Sequence, residues 1–160
     1  MLAQLRRRWE YYKEHVSGVA GFVDEALARL AGVVENFRGE GLVASHNDIC
    51  NANWLLTQDG RFYLVDLDML ALDDPANDLG ALLWWYYPPA LRGRFLTIAG
   101  YIDSPELRAR MRARMALHCL SITLPREQSF DRFDPVRFPE QLADFRAVLA
   151  GEENPQGYGE

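Results

Sequence analysis

Residues 45–85 read SHNDICNANWLLTQDGRFYLVDLDMLALDDPANDLGALLWW, and this stretch decides the fold. Trp54 to Thr57 is a short apolar run, Gln58-Asp59-Gly60 is a turn signal, and Phe62 to Val65 is a second apolar run. The pattern predicts a β-hairpin with a short Gly-containing loop. Polar residues stand just before the first strand (His46-Asn47-Asp48, then Asn53) and just after the second (Asp66-Leu67-Asp68). Closing the hairpin therefore sets the two polar clusters side by side. Carboxylates and an amide oxygen are hard ligands suited to Mg²⁺, which takes only a few protein ligands when it also binds phosphates. A further carboxylate could orient or deprotonate an attacking hydroxyl.

Working outward, helices are expected on both sides. Residues 2 to 15 read as one helix ending near Ser17-Gly18. Residues 19 to 38 form the clearest helix, with Val19, Phe22, Val23, Ala26, Leu27, Leu30, Val33, Val34 and Phe37 on one apolar stripe. Gly39 and Gly41 punctuate the chain after it. Beyond Asp73-Asp74-Pro75, Asn77 or Asp78 is expected to cap a helix that Pro88-Pro89 stops. Residues 89–101 read as another helix. Ser104-Pro105-Glu106 opens a further one, with Leu107, Met111 and Met115 on one side and Arg108, Arg110, Arg112 and Arg114 more exposed. Pro139 to Ala150 is read as the last helix and 151–160 as a flexible tail. The expected class is α+β, mostly α, around one small hairpin.

Bulk properties narrow the function. With 160 residues, 49% apolar and 25% charged, the chain suits one globular domain. A net charge of -6 gives no basic face for nucleic acid. The run Arg6-Arg7-Arg8 reads as a solvated helix face. No secretory leader pattern is seen, and the apolar runs are too short to span a bilayer. Two cysteines, Cys50 and Cys119, lie far apart without a CxxC pair and, with three histidines, show no zinc spacing; a reducing cytoplasm fits them. Lys13 is the sole lysine.

The quoted segment resembles the aminoglycoside phosphotransferase and choline kinase superfamily. It follows the pattern H-[GN]-D-x4-N, hairpin, apolar-apolar-D, then D-P-x-x-D-L. The resemblance implies the C-terminal catalytic lobe of a protein-kinase-like fold over residues 1–150, moving the γ-phosphoryl group of ATP to a small-molecule hydroxyl. It implies Asp48 as catalytic base, Asn53 and Asp66 as Mg²⁺ ligands at the phosphates of ATP, and Asp78 as a buried holder of the catalytic loop. His46 would pack under that loop, and Asp74-Pro75 would shape the turn into the helix. Asp68 is placed either in support of Asp66 or on the surface, and Asp73 on the surface. Cys50 is read as loop filling and the Trp84–Tyr87 cluster chiefly as core. The acidic residues Asp131, Asp134, Glu140, Asp144, Glu152 and Glu153 are read as solubilising charge rather than as a lure for a cationic substrate.

The resemblance also implies an N-terminal lobe with strands, a phosphate-covering loop and a lysine, and nothing before Leu42 has those features. A non-catalytic lobe acting as a binding or scaffold module is therefore an alternative. The surface that lobe would cover is expected to favour self-association or a partner chain. A third reading, a haloacid-dehalogenase-type phosphohydrolase with Asp66 as nucleophile and Asp68 as acid-base, fits LVDLDML locally but needs a later lysine, and none follows Asp66.

Overall fold

In the computed structural model, which describes residues 2–37, 41–126 and 130–158, two antiparallel ribbons are nested one inside the other. The inner one is the expected hairpin: β2 (Trp54–Leu56) pairs with β3 (Phe62–Leu64), with Trp54 opposite Leu64. Gly60 adopts φ 79° in the turn, a left-handed conformation glycine takes without steric cost. The outer ribbon joins β1 (Val43–Ser45) to β4 (Ala71–Asp73), with Ser45 opposite Ala71. This second pairing was not expected from the sequence. It brings the segments 46–53 and 65–70 together from both ends.

Seven helices among the described residues flank the ribbons along the chain, two before them and five after, so the protein is α+β and mostly α. α1 (Leu2–Tyr12) and α2 (Ser17–Glu35) are joined by a 3₁₀ turn over Lys13–Val16. Ser17 thus begins the second helix rather than ending the first, and the expected end of that helix at residue 38, with Gly39, lies outside the described residues. α3 (Ala76–Tyr86), α4 (Pro89–Ile98) and α5 (Pro105–Thr123) follow. The last expected helix is two, α6 (Phe138–Gln141) and α7 (Ala143–Ala150).

The stripe of α2 does what its spacing implies: Val23, Leu27 and Leu30 enter a core shared with Leu5, Trp9 and Tyr12 of α1, Leu117 and Leu120 of α5, and Phe145 of α7. Each such side chain contributes about 1.5–3 kcal/mol when fully buried. Trp9 also donates from Nε1 to Asp24 at 2.7 Å, so its polar atom is satisfied inside. A smaller core of Ala76, Leu79, Leu83, Leu96 and Leu107 lies under α3 and α4. No helix among the described residues is long and apolar enough to cross a membrane.

Three local expectations need correcting. The start of α3 is capped by Asp74, whose Oδ1 accepts from Ala76 N at 3.0 Å; Asn77 and Asp78 lie inside the helix and are free for other work. Arg8 is not on a solvated face: it donates to Leu124 O at 3.0 Å and to Ser121 Oγ at 2.6 Å, clamping α1 to the end of α5. Arg110 and Arg114 are mostly covered, because they meet Asp74 and Asp73. Ser104 is as expected, accepting from Leu107 N at 3.1 Å.

α3 and α5 cross closely at Gly80, where an added Cβ would stand 2.6 Å from the Met111 carbonyl oxygen. Alanine there would gain up to about 1 kcal/mol in helix propensity against about 1–3 kcal/mol of overpacking. Gly80→Ala is therefore expected to lower unfolding stability by about 1–2 kcal/mol in denaturant titrations. Unchanged or raised stability would show that the crossing relaxes freely.

Candidate active site

The site is assembled by backbone geometry before side-chain chemistry. Only two non-glycine residues among the described ones have positive φ, Asn47 and Asp66, both at 63°. One sits in each polar cluster. Left-handed residues other than glycine are uncommon and gather where surrounding contacts over-determine them. For Asn47 those contacts are explicit. Its Nδ2 donates to Ser45 O at 3.2 Å and to Met69 O at 3.0 Å, and its Oδ1 accepts from Asn77 Nδ2 at 2.6 Å.

Asp78, on the first turn of α3, receives the loop backbone. His46 N donates to its Oδ2 at 2.6 Å and Asn47 N to its Oδ1 at 2.9 Å. Both are charge-assisted bonds to main-chain donors. Beneath them His46 is 3% exposed, and its Nε2–H donates to Val65 O at 2.9 Å. The imidazole is committed to holding the segment 46–53 against the segment 65–70. Asp78, expected to be buried, is half-buried.

Asp48 follows the strained Asn47 and is exposed; its carbonyl accepts from Asn53 Nδ2 at 2.9 Å. Asn53 is buried on a short 3₁₀ turn, Asn51–Asn53, with its amide nitrogen used in that bond. Its Oδ1 accepts no hydrogen bond among the described residues. The hairpin register sets Asp66 beside it, since Val65 N donates to Asn53 O at 2.9 Å. The Asp66 carboxylate is exposed and likewise makes no bond among the described residues. One amide oxygen and one carboxylate on neighbouring stretches of backbone make a sparse hard set. That fits Mg²⁺, which keeps waters and substrate phosphates for its other positions. No group of three or more His, Cys, Asp and Glu side chains is gathered for a metal among the described residues. Asp68 is exposed on the 3₁₀ turn Leu67–Met69.

The aromatic cluster divides. Trp84 is buried and packs edge-on against Trp85, while Tyr86 is exposed and its hydroxyl accepts from Asn51 N at 3.2 Å. Tyr86 therefore steadies the segment 46–53, a contact its place among four consecutive aromatics hid. Cys50 is half-buried and Cys119 buried, both free, and burial pushes the Cys119 thiol up. His118 of α5 is a residue that the sequence did not mark. Burial holds its imidazole below the ordinary 6.5, and the Asp48 carboxylate pulls it back up. That pull places His118 within electrostatic reach of Asp48. Helical offset alone could not reveal it, because α5 reaches the loop only through the tertiary fold.

Residues 1–116 match the family model APH, described as the phosphotransferase enzyme family. That is well over half of the chain, and it includes every residue of the two segments and Asp78.

Two outcomes follow from this geometry. Asp78→Ala would strand two backbone donors and is expected to cost about 2–4 kcal/mol of stability, read by denaturant unfolding; a loss under 1 kcal/mol on the same scale would show the segment to be held otherwise. His118, depressed when folded, is protonated more readily in the unfolded chain. Its contribution is complete above about 6.5 and is lost as pH falls through the window beneath that value. The melting temperature of the wild type should thus drop more between pH 7 and pH 5 than that of His118→Gln. Parallel curves would remove His118 from this role.

Proposed function

Because the chain belongs to the phosphotransferase enzyme family, we propose that it moves the terminal phosphoryl group of ATP to a hydroxyl of a small molecule, an aminoglycoside, choline or similar. What carries the reading is the juxtaposition of the Asp48–Asn53 segment, led by left-handed Asn47 and pinned by Asp78, with Asp66, itself left-handed and following the Val65 carbonyl that His46 holds. Asp48 takes the part of base, orienting the acceptor hydroxyl and receiving its proton. Its exposure leaves it open to a substrate. Asn53 Oδ1 and the Asp66 carboxylate would hold Mg²⁺ at the phosphates of ATP, where the ion offsets charge on the transferring group. Asp68, two residues on and exposed, either supports Asp66 or stands as surface charge. Phosphoryl transfer demands mainly positioning, and the pinned segments supply it. ATP as donor and two free cysteines suit the cytoplasm.

Residues that cover the nucleotide come from elsewhere in this reading. Lys13, the sole lysine, pairs with Glu10 at 2.8 Å in the 3₁₀ turn after α1. Leu55, Leu56, Phe62, Leu70 and Leu72 are exposed on and beside the ribbons. These exposed apolar side chains give further polypeptide or a second chain something to pack on in completing the site. They equally favour the alternative, a non-catalytic lobe that binds a partner there. The phosphohydrolase reading has no such support.

Calorimetry with Mg-ATP and turnover assays on hydroxyl acceptors test the assignment. Asp66→Ala is expected to abolish Mg-nucleotide binding. Asp48→Ala should keep binding and lose turnover by about 10²–10⁴-fold. Equal binding by wild type and Asp66→Ala would overturn the metal assignment, and a biological effect untouched by Asp48→Ala would favour the scaffold.

A further inference from the structure

A cavity of about 250 Å³ opens between α3, α4, α5 and the end of α7. It lies behind the helix that serves the catalytic segment. Asp78 faces that segment, whereas Gly80, Leu83 and Trp84 line the cavity. Gly80 lies about 200° around α3 from Asp78 at 3.6 residues per turn. None of the residues assigned to phosphoryl transfer lines it.

The floor is apolar, made by Leu83, Leu96, Met111, Met115 and Val148. Apolar walls with a few placed polar groups are the usual makeup of a small-molecule site. Trp84 is 7% exposed, and its indole N–H has no hydrogen-bond partner. A buried donor left unpaired is costly, and a ligand acceptor would relieve it. The rim carries three arginines. Arg92 is committed to Glu153 at 2.8 Å, and Arg108 to Asp103 at 2.5 Å. Arg112 has no carboxylate partner among the described residues. Its guanidinium instead lies 3.3 Å from where a Cβ on Gly151 would stand, at the end of α7. Beside it Glu152 is exposed and unpaired among the described residues.

We propose that this cavity is a second binding site, for a small carboxylate with an apolar or aromatic body. The body lies against Leu83, Met111 and Met115, the carboxylate meets Arg112, and the Trp84 N–H serves an acceptor atom of the ligand. Two sources share that chemistry, simple organic acids and apolar amino acids; an amino acid would add an ammonium group for Glu152. The inference does not depend on the phosphotransferase reading.

Heteronuclear NMR titrations of the chain with 3-phenylpropanoate, L-phenylalanine and neutral 3-phenylpropanamide test it. A carboxylate should shift amides of α3, α4 and the first half of α5 saturably, and the amide should bind about tenfold or more weakly. Arg112→Gln should weaken carboxylate binding about tenfold or more and leave the amide unchanged. Gly93→Leu should block all three. A Cβ there meets only the Asp103 carboxylate, at 3.7 Å, so the leucine fills the cavity without breaking α4. Preference for phenylalanine that Glu152→Gln erases identifies an amino acid; preference for phenylpropanoate identifies a simple acid. Absent saturable shifts, shifts centred on residues 45–70, or carboxylate affinity unchanged in Arg112→Gln would overturn the proposal.

Discussion

One carboxylate sets the constraint on which the site depends. Asp78 takes the main-chain N–H groups of His46 and Asn47, so the segment leading to Asp48 cannot shift without stranding two partly buried donors. The position of Asp78 is in turn inherited. α3 begins where Asp74 caps it, and Asp74 is fully buried against Arg110 Nε at 3.0 Å, an ion contact without hydrogen-bond alignment. Arg114 reaches Asp73 at 3.0 Å from the same face of α5. Removing one partner of such a buried pair typically costs about 3–5 kcal/mol, because the other charge stays behind. A line of fixed contacts thus runs from α5 through Asp73 and Asp74 to α3, and from Asp78 to the loop.

The polar groups of the site divide into those consumed by structure and those left available. His46, Asn47, Asn77 and Asp78 are spent on each other and on backbone. Asp48 and Asp66 present their carboxylates to solvent, and Asn53 gives its nitrogen to the loop while keeping its oxygen. In the proposed reading, chemistry and scaffolding are separated by residue, yet they alternate along the chain. Asn47 and Asp66 bear backbone strain that the nested ribbons hold in place. Rigid support of exposed functional groups is what a reaction governed by positioning requires.

Local signals in the sequence were readable where the physics is local. The Gln58-Asp59-Gly60 turn, the stripe of α2 and the Ser104-Pro105 start each follow from a few neighbouring residues, and each was legible. The β1–β4 ribbon was not, since it joins two three-residue strands across the whole hairpin with no turn to announce it. Asn77 or Asp78 looked like the cap of α3, and only the burial of Asp74 against α5 gives that place to Asp74. The arginines of α1 and α5 looked solvated because guanidinium partners lie up to 116 positions away, as with Arg8 and Leu124. His118 and Tyr86 were hidden for the same reason. The order of polar residues through the site was legible, because a hairpin brings its own flanks together.

The central claim is that Asn53 and Asp66 form a divalent-cation site beside Asp48. Paramagnetic broadening of backbone amides by Mn²⁺ with ATP tests it most directly, because it registers even weak binding and reports position. The account predicts broadening centred on residues 48–53 and 65–68, abolished when Asp66 is replaced by alanine. Broadening centred elsewhere, such as on Glu152 and Glu153, or no localised broadening at all, would contradict it.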